Sequence, residues 1–146
     1  MYCPEAKLLI LDKGTVKQKQ KWVENFIGTG PYPESRAIVV NYESAWRPPL
    51  GDYFRCRCFW NLIVADESQR CKAPSGRASK WLGKMRVVSQ RRLCLSGTPM
   101  PHSPLDSWAQ FRFLSPDIFG PSYTGFRARY RRTPADGWER GTGCED

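Results

Sequence analysis

The 146 residues contain no apolar run long enough to cross a membrane. They also lack a leader made of a basic start, an apolar middle and a small-residue cleavage flank. The longest early apolar run, Leu8 to Leu11, is too short for either, so the expected compartment is the cytoplasm. Histidine is nearly absent, with His102 alone, and no C-x-x-C pair occurs; Cys56 and Cys58 are one residue too close. A zinc module needs such paired spacings, so that class is remote. The other cysteines, Cys3, Cys71, Cys94 and Cys144, are scattered, which argues for free thiols in a reducing compartment rather than a disulfide framework. Acid is scarce too: 14 Asp and Glu stand against 23 Lys and Arg, a formal charge of +9. From Arg70 to Arg92 there are eight basic residues and no acidic one. No G-x-x-x-x-G-K-S/T loop is present, since the only Gly-Lys pair, Gly83-Lys84, runs into Met85.

What is there begins at Phe59–Lys80, FWNLIVADESQRCKAPSGRASK. Leu62-Ile63-Val64-Ala65 has the length and β-branched content of a buried central strand. Two carboxylates, Asp66 and Glu67, stand at its carboxyl end, where open α/β sheets bind ligands. A basic loop, Arg70 to Pro74, leads to a helix opened by Ser75. An adjacent acid pair there suits metal–nucleotide chemistry, one carboxylate for Mg²⁺ and the other for a water. By itself it is equally a solvated strand end. A second landmark shifts the balance: Arg92-Leu93-Cys94-Leu95 reads as another strand and runs into Ser96-Gly97-Thr98-Pro99. Forty per cent hydrophobic content with six Trp supports one packed domain, large enough to bury roughly two-thirds of its unfolded surface.

VADESQRCKAPSGRASK, followed by RRLCLSGTPMPHSPLDSWAQFRFLSPDIFG, resembles the first RecA-like domain of Swi/Snf-type superfamily-two DNA helicases and translocases, with bacteriophage versions looking closest. The resemblance covers roughly residues 8–130. Asp66-Glu67 matches the family's DEAH-type Walker B motif, and Ser96-Gly97-Thr98 its S/T-G-T motif. The implied fold is α/β: a partial three-layer RecA-like domain over residues 1–132, carrying motifs Ia to III, with a mainly parallel sheet and helices on both faces. Residues 133–146, rich in Pro, Gly and Asp, read as a disordered tail. The compartment implied is the cytoplasm of a bacterium or a phage-infected host.

Taken in order, Lys7–Leu11 reads as a strand, and Thr15 caps a helix. Val16, Trp22, Val23, Phe26 and Ile27 form that helix's apolar face, with Lys17, Lys19 and Lys21 mostly on the other. By resemblance this is motif Ia, with Lys13, Gly14 and Thr15 as DNA-backbone contacts; Asp12 replaces the family's usual proline. Ala37–Val40 is the next strand, ending in Asn41-Tyr42-Glu43, which resembles motif Ib. Tyr42 suits either a nucleic-acid contact or a core aromatic. Pro48-Pro49 forbids regular structure, so residues 44–58 read as a surface excursion. The Ser75 helix continues to about Ser89, with Ala78, Trp81, Leu82, Met85 and Val88 inward. Its unbalanced charge favours a phosphate-facing surface, with Lys72, Arg77 and Lys80 as contacts.

The resemblance implies ATP-driven translocation or unwinding on DNA, double-stranded by preference. Asp66 would hold Mg²⁺ through the nucleotide and Glu67 would activate water. Gln69 stands where the family has His, and Ser68 where it has Ala or Cys; Gln69 retains hydrogen-bonding capacity towards Ser96 and Thr98. The family's P-loop would fall ahead of Met1. A second RecA-like domain, in cis or in trans, would complete the ATP cleft. ATP and Mg²⁺ are therefore cofactors of the complete protein, and the chain alone is expected to hydrolyse ATP negligibly. The alternative is a non-catalytic, basic nucleic-acid-binding protein descended from such a helicase.

Overall fold

β1 (Lys7–Leu11) and β2 (Arg36–Val40) run parallel, in register from Lys7 opposite Arg36 to Leu11 opposite Val40. The crossover between them carries α1 (Val16–Ile27). A second parallel pair follows, β3 (Trp60–Ala65) with β4 (Ser89–Cys94), aligned from Trp60 opposite Ser89 to Ala65 opposite Cys94. Their crossover carries α4 (Arg77–Met85). Two short helices, α2 (Tyr42–Ala45) and α3 (Leu50–Cys56), fill the interval between β2 and β3. After β4 come α5 (Trp108–Leu114) and α6 (Tyr123–Tyr130). This computed structural model describes residues 6–28 and 35–130. The α/β class, with parallel strands joined through helices, is the partial RecA-like arrangement expected.

Local sequence accounts for most boundaries. Thr15 caps α1 through a capping box: its hydroxyl accepts from Gln18 N at 3.3 Å, and the Gln18 side chain accepts from Thr15 N at 2.8 Å. The preceding turn needs Gly14, whose φ of +83° favours glycine and whose missing Cβ leaves room for the Trp22 ring. Trp22 consequently lies over that turn and remains 42% exposed, instead of joining the core with Val16, Val23 and Ile27.

Lys19 departs from the expected solvated face. It is buried, and its Nζ donates to Ser44 Oγ at 2.9 Å, so the ammonium keeps a partner while its stem is covered. The expected excursion at 44–58 is also corrected, because it contains α2 and α3. Pro49 ends the irregular stretch and serves as the N-cap of α3, where a missing N–H costs nothing. Leu50 and Phe54, one turn apart, then join Leu11, Val23 and Met85 in the main core. Burial of each is worth roughly 2–3 kcal/mol. α3 reaches the α2 turn because Gly51 has no Cβ; one would sit 2.6 Å from the Trp46 carbonyl oxygen.

α4 begins one residue later than expected, with Gly76 rather than Ser75 as its N-cap, and stops at Met85 because β4 starts at Ser89. Leu82 and Met85 are buried, as the periodicity requires. α5 contributes Phe113 to a second cluster with Ala65, Cys71 and Leu82. Trp108, Ala109 and Phe126 make a third cluster beneath α6.

The inward strand residues, Leu9, Leu11, Ile38, Val40 and Ile63, all pack into one core under the helices. Strand alternation turns Leu8, Ile10, Val39, Leu62, Val64 and Leu93 the other way, and each is between 44% and 57% exposed. Leu62 and Val64 are therefore not buried as a central strand would have them. The described helices cover one face of the strands, and the apolar second face is open.

Candidate nucleotide and nucleic-acid site

The carboxyl ends of β3 and β4 deliver two loops side by side. The ladder runs one step past the strands, with Leu95 N donating to Ala65 O and Ser68 N to Leu95 O, both at 2.9 Å. Asp66 and Glu67 thus emerge against Ser96, Gly97 and Thr98. Both carboxylates are exposed, and neither has a cationic partner among the described residues. Asp66 Oδ1 accepts from Glu67 N at 2.9 Å. Glu67 is the one non-glycine residue at positive φ among those described (φ 48°, ψ 47°). Left-handed backbone at such a residue costs on the order of 1 kcal/mol, and strain of this kind collects at functional turns.

Gln69 ties the two loops at the surface. Its Nε2 donates to Glu67 Oε2 at 2.5 Å, and its Oε1 accepts from Ser96 Oγ at 2.6 Å. Thr98 N then donates to Ser96 Oγ at 3.1 Å. A continuous chain of hydrogen bonds thereby joins Glu67, Gln69, Ser96 and Thr98. Gly97 takes no side-chain part, and the space around its Cα is open.

A second tie lies beneath the first. Buried Ser68 donates its hydroxyl to Gln110 Oε1 at 2.7 Å, and Gln110 Nε2 donates to Pro99 O at 2.6 Å and Asp106 O at 3.2 Å. Gln110 was missed in the sequence. Its signal was there: an amide in the largely apolar Trp108–Leu114 run, which has Arg112 as its one charge.

Tyr42, at the start of α2, supports the acid loop, its hydroxyl donating to Asp66 O at 2.8 Å. Burial pushes its phenol well above the ordinary range, and the neighbouring Cys71 adds to the shift. Burial likewise raises the Cys71 thiol to about 11, against a lowering effect from the Tyr42 hydrogen bond, and raises Cys94 as well. Asn41 caps α2, its Oδ1 accepting from Ser44 N at 2.9 Å.

The expected phosphate contacts are dispersed. Lys13, Gly14 and Thr15 are exposed at the carboxyl end of β1, the Thr15 hydroxyl being occupied as the cap. Lys72 lies 3.8 Å from Asp106, whose carboxylate also accepts from His102 N at 2.9 Å. Lys80 is exposed on α4. Arg77, at the first turn of α4, lies over the Trp46 ring, its Cζ 5.3 Å from the centroid. Arg70 pairs with Glu43 at 2.8 Å and lies over Tyr42.

Residues 46–141 match the family described as the SNF2-related domain. The chain belongs to that family. Among its relatives, Helicase ssl-1 of Caenorhabditis elegans is 35% identical over 118 residues, covering 81% of this chain and 5% of that protein. The Probable ATP-dependent DNA helicase CHR23 of Arabidopsis thaliana is 27% identical over 119 residues, covering 82% of the chain and 10% of the relative. The Chromatin-remodeling ATPase INO80 of Candida albicans is 35% identical over 60 residues, 41% of the chain and 4% of that protein. The SNF2-related chain thus spans a tenth or less of these three proteins. They are eukaryotic, and one is named for chromatin remodelling, which overturns the expectation of a bacterial or phage-infected cytoplasm. Its cytoplasmic part was drawn from the lack of a membrane span and a leader, which fixes no compartment, and its bacterial or phage part from the resemblance to phage versions. No helix among the described residues is long and apolar enough to cross a membrane. The expected tail at 133–146 lies outside the described residues.

Proposed function

We propose that residues 1–132 form the acid-loop portion, motifs Ia to III, of an ATP-driven DNA helicase or translocase. The supporting observation is the Glu67–Gln69–Ser96–Thr98 hydrogen-bond chain at the carboxyl ends of two adjacent parallel strands. The residues fit an Mg²⁺-bound nucleotide in one respect: two exposed carboxylates without cationic partners sit where an α/β sheet takes its ligand. Bound Mg²⁺ would supply charge neutralisation at the phosphates. Asp66 is the carboxylate that holds it, and Glu67 orients the attacking water, with Gln69 fixing the Glu67 carboxylate. Ser96, Gly97 and Thr98 sense the state of that loop through Gln69. Lys13, Gly14, Thr15, Asn41, Tyr42, Lys72, Arg77 and Lys80 serve the nucleic-acid side, Asn41 and Tyr42 by shaping the surface. DNA is the partner, and a P-loop and a second RecA-like domain, in cis or in trans, complete the reaction.

The chain by itself then releases phosphate from ATP no faster than buffer, with or without duplex DNA. The decisive experiment uses a chimera in which this chain replaces the matching segment of CHR23. DNA-stimulated turnover that disappears in Glu67→Gln supports the reading. Turnover indifferent to Glu67→Gln overturns the catalytic assignment. Salt-sensitive DNA binding by a chain that never supports turnover favours the second reading, a non-catalytic nucleic-acid binder, which the +9 charge also suits.

A further inference from the structure

The turn after α2 brings two arginines over one indole. Arg47 Cζ lies 5.5 Å and Arg77 Cζ 5.3 Å from the centroid of the Trp46 ring. Trp46 is half-buried, and its backbone is fixed from behind by the close approach of Gly51. Both arginines are exposed, and neither has a carboxylate or hydrogen-bond partner among the described residues. Their neighbour Arg70 differs, because Glu43 neutralises it. Two guanidiniums gathered on one ring without a counter-ion repel each other, and an anion between them would relieve that repulsion. The cation–π contact holds each guanidinium at the ring, and an N–H fork with no partner among the described residues suits phosphate oxygens.

We propose that Arg47 and Arg77, held by Trp46, form a clamp for the phosphodiester backbone of a nucleic-acid strand. The inference rests on the DNA-binding part of the reading above and specifies where one strand is gripped. Phosphate is favoured over a carboxylate side chain because the excess charge of the chain continues past Arg77 through Lys80, Lys84 and Arg86, as a repeating polyanion requires. Arg47 follows β2 through α2, and Arg77 opens α4 in the connection that leaves the carboxyl end of β3, so both belong to the crossovers that start at the strand ends carrying Asp66 and Glu67. A strand held there is within reach of the loop that responds to nucleotide.

The test is fluorescence anisotropy of a labelled duplex with the full chain over a series of salt concentrations. Arg47→Gln/Arg77→Gln should weaken binding at least tenfold at low salt and reduce the slope of log K against log salt by about 1–2, since each lost phosphate contact removes about 0.9. Arg127→Gln/Arg129→Gln on α6 removes the same charge elsewhere and should leave the slope within about half a unit. Trp46→Ala retains both charges but loses the platform, and should weaken binding; Trp46→Phe should restore most of it. A slope in Arg47→Gln/Arg77→Gln equal to that of the α6 control overturns the clamp while leaving DNA binding intact. A wild-type chain with no salt-dependent DNA affinity overturns both. Clamp-dependent binding of polyglutamate equal to that of DNA also overturns the proposal, by making the ligand an acidic polypeptide.

Discussion

Ser68 and Gln110, 42 positions apart, share a buried hydrogen bond of 2.7 Å, and the same amide reaches across to Pro99 O at 2.6 Å. One side chain from α5 therefore fastens the acid loop to the loop after β4. Removing one partner leaves a buried polar group unsatisfied, whereas replacing both with apolar groups is nearly neutral. Gln110→Leu should accordingly destabilise by about 1–3 kcal/mol. Ser68→Ala/Gln110→Leu should recover more than half of that loss, read as the midpoint of urea unfolding. A double variant no more stable than Gln110→Leu would show that the pair carries no shared energy.

Glu67 presents a different trade. Its left-handed backbone holds the carboxylate out of the β3 line, and no other non-glycine residue among those described has positive φ. Glycine adopts that conformation freely. Glu67→Gly should therefore unfold at higher temperature than Glu67→Ala, by about 1 kcal/mol in stability. Equal melting temperatures for the two would mean the turn relaxes when the side chain is shortened.

Much of this was legible in the sequence where local rules act alone. Thr15 announces the α1 cap, and the Lys7–Leu11 strand agrees to the residue. The acid loop and the Ser96–Thr98 loop were found because each follows a β-rich run directly. Three features were not legible, for one reason: tertiary partners override local pattern. Pro48-Pro49 reads as a breaker, yet Leu50 and Phe54 find a core to enter. Lys19 reads as solvated, yet Ser44 meets its ammonium. Leu62 and Val64 read as buried, yet only one face of their strand is covered by the described helices.

Alkaline pH should unfold the chain earlier than its formal charge implies. Cys71 is shifted from its ordinary 9.0 to about 11, mainly by burial, and Tyr42 beside it is shifted upward from 10.0. A folded-state pKa above the unfolded value favours the protonated group in the fold. The stabilisation is complete below pH 9 and is lost as pH rises through about 11 for the thiol. Melting temperature should thus fall from about pH 8.5 to about pH 10.5, and Cys71→Ala should flatten that decline. An unchanged slope in the variant would assign the loss to other groups.

The open strand face carries the last expectation. Leu8, Ile10, Val39, Leu62, Val64 and Leu93 each stand about half exposed on the side away from the core. Clustered exposed apolar side chains on two strand pairs are uncommon on a monomeric surface and attract apolar partners. The purified chain should bind a hydrophobic dye in its folded state and self-associate at micromolar concentration. Leu62→Thr/Val64→Thr puts β-branched residues at both positions of β3 while making its outer face more polar. It should lower dye fluorescence at least twofold and shift the chain toward monomer in sedimentation, with a melting temperature within a few degrees of the parent. The small thermal cost follows from exposure, since side chains already half in water lose little on becoming polar. A large fall in melting temperature would instead mean that this face is covered in solution.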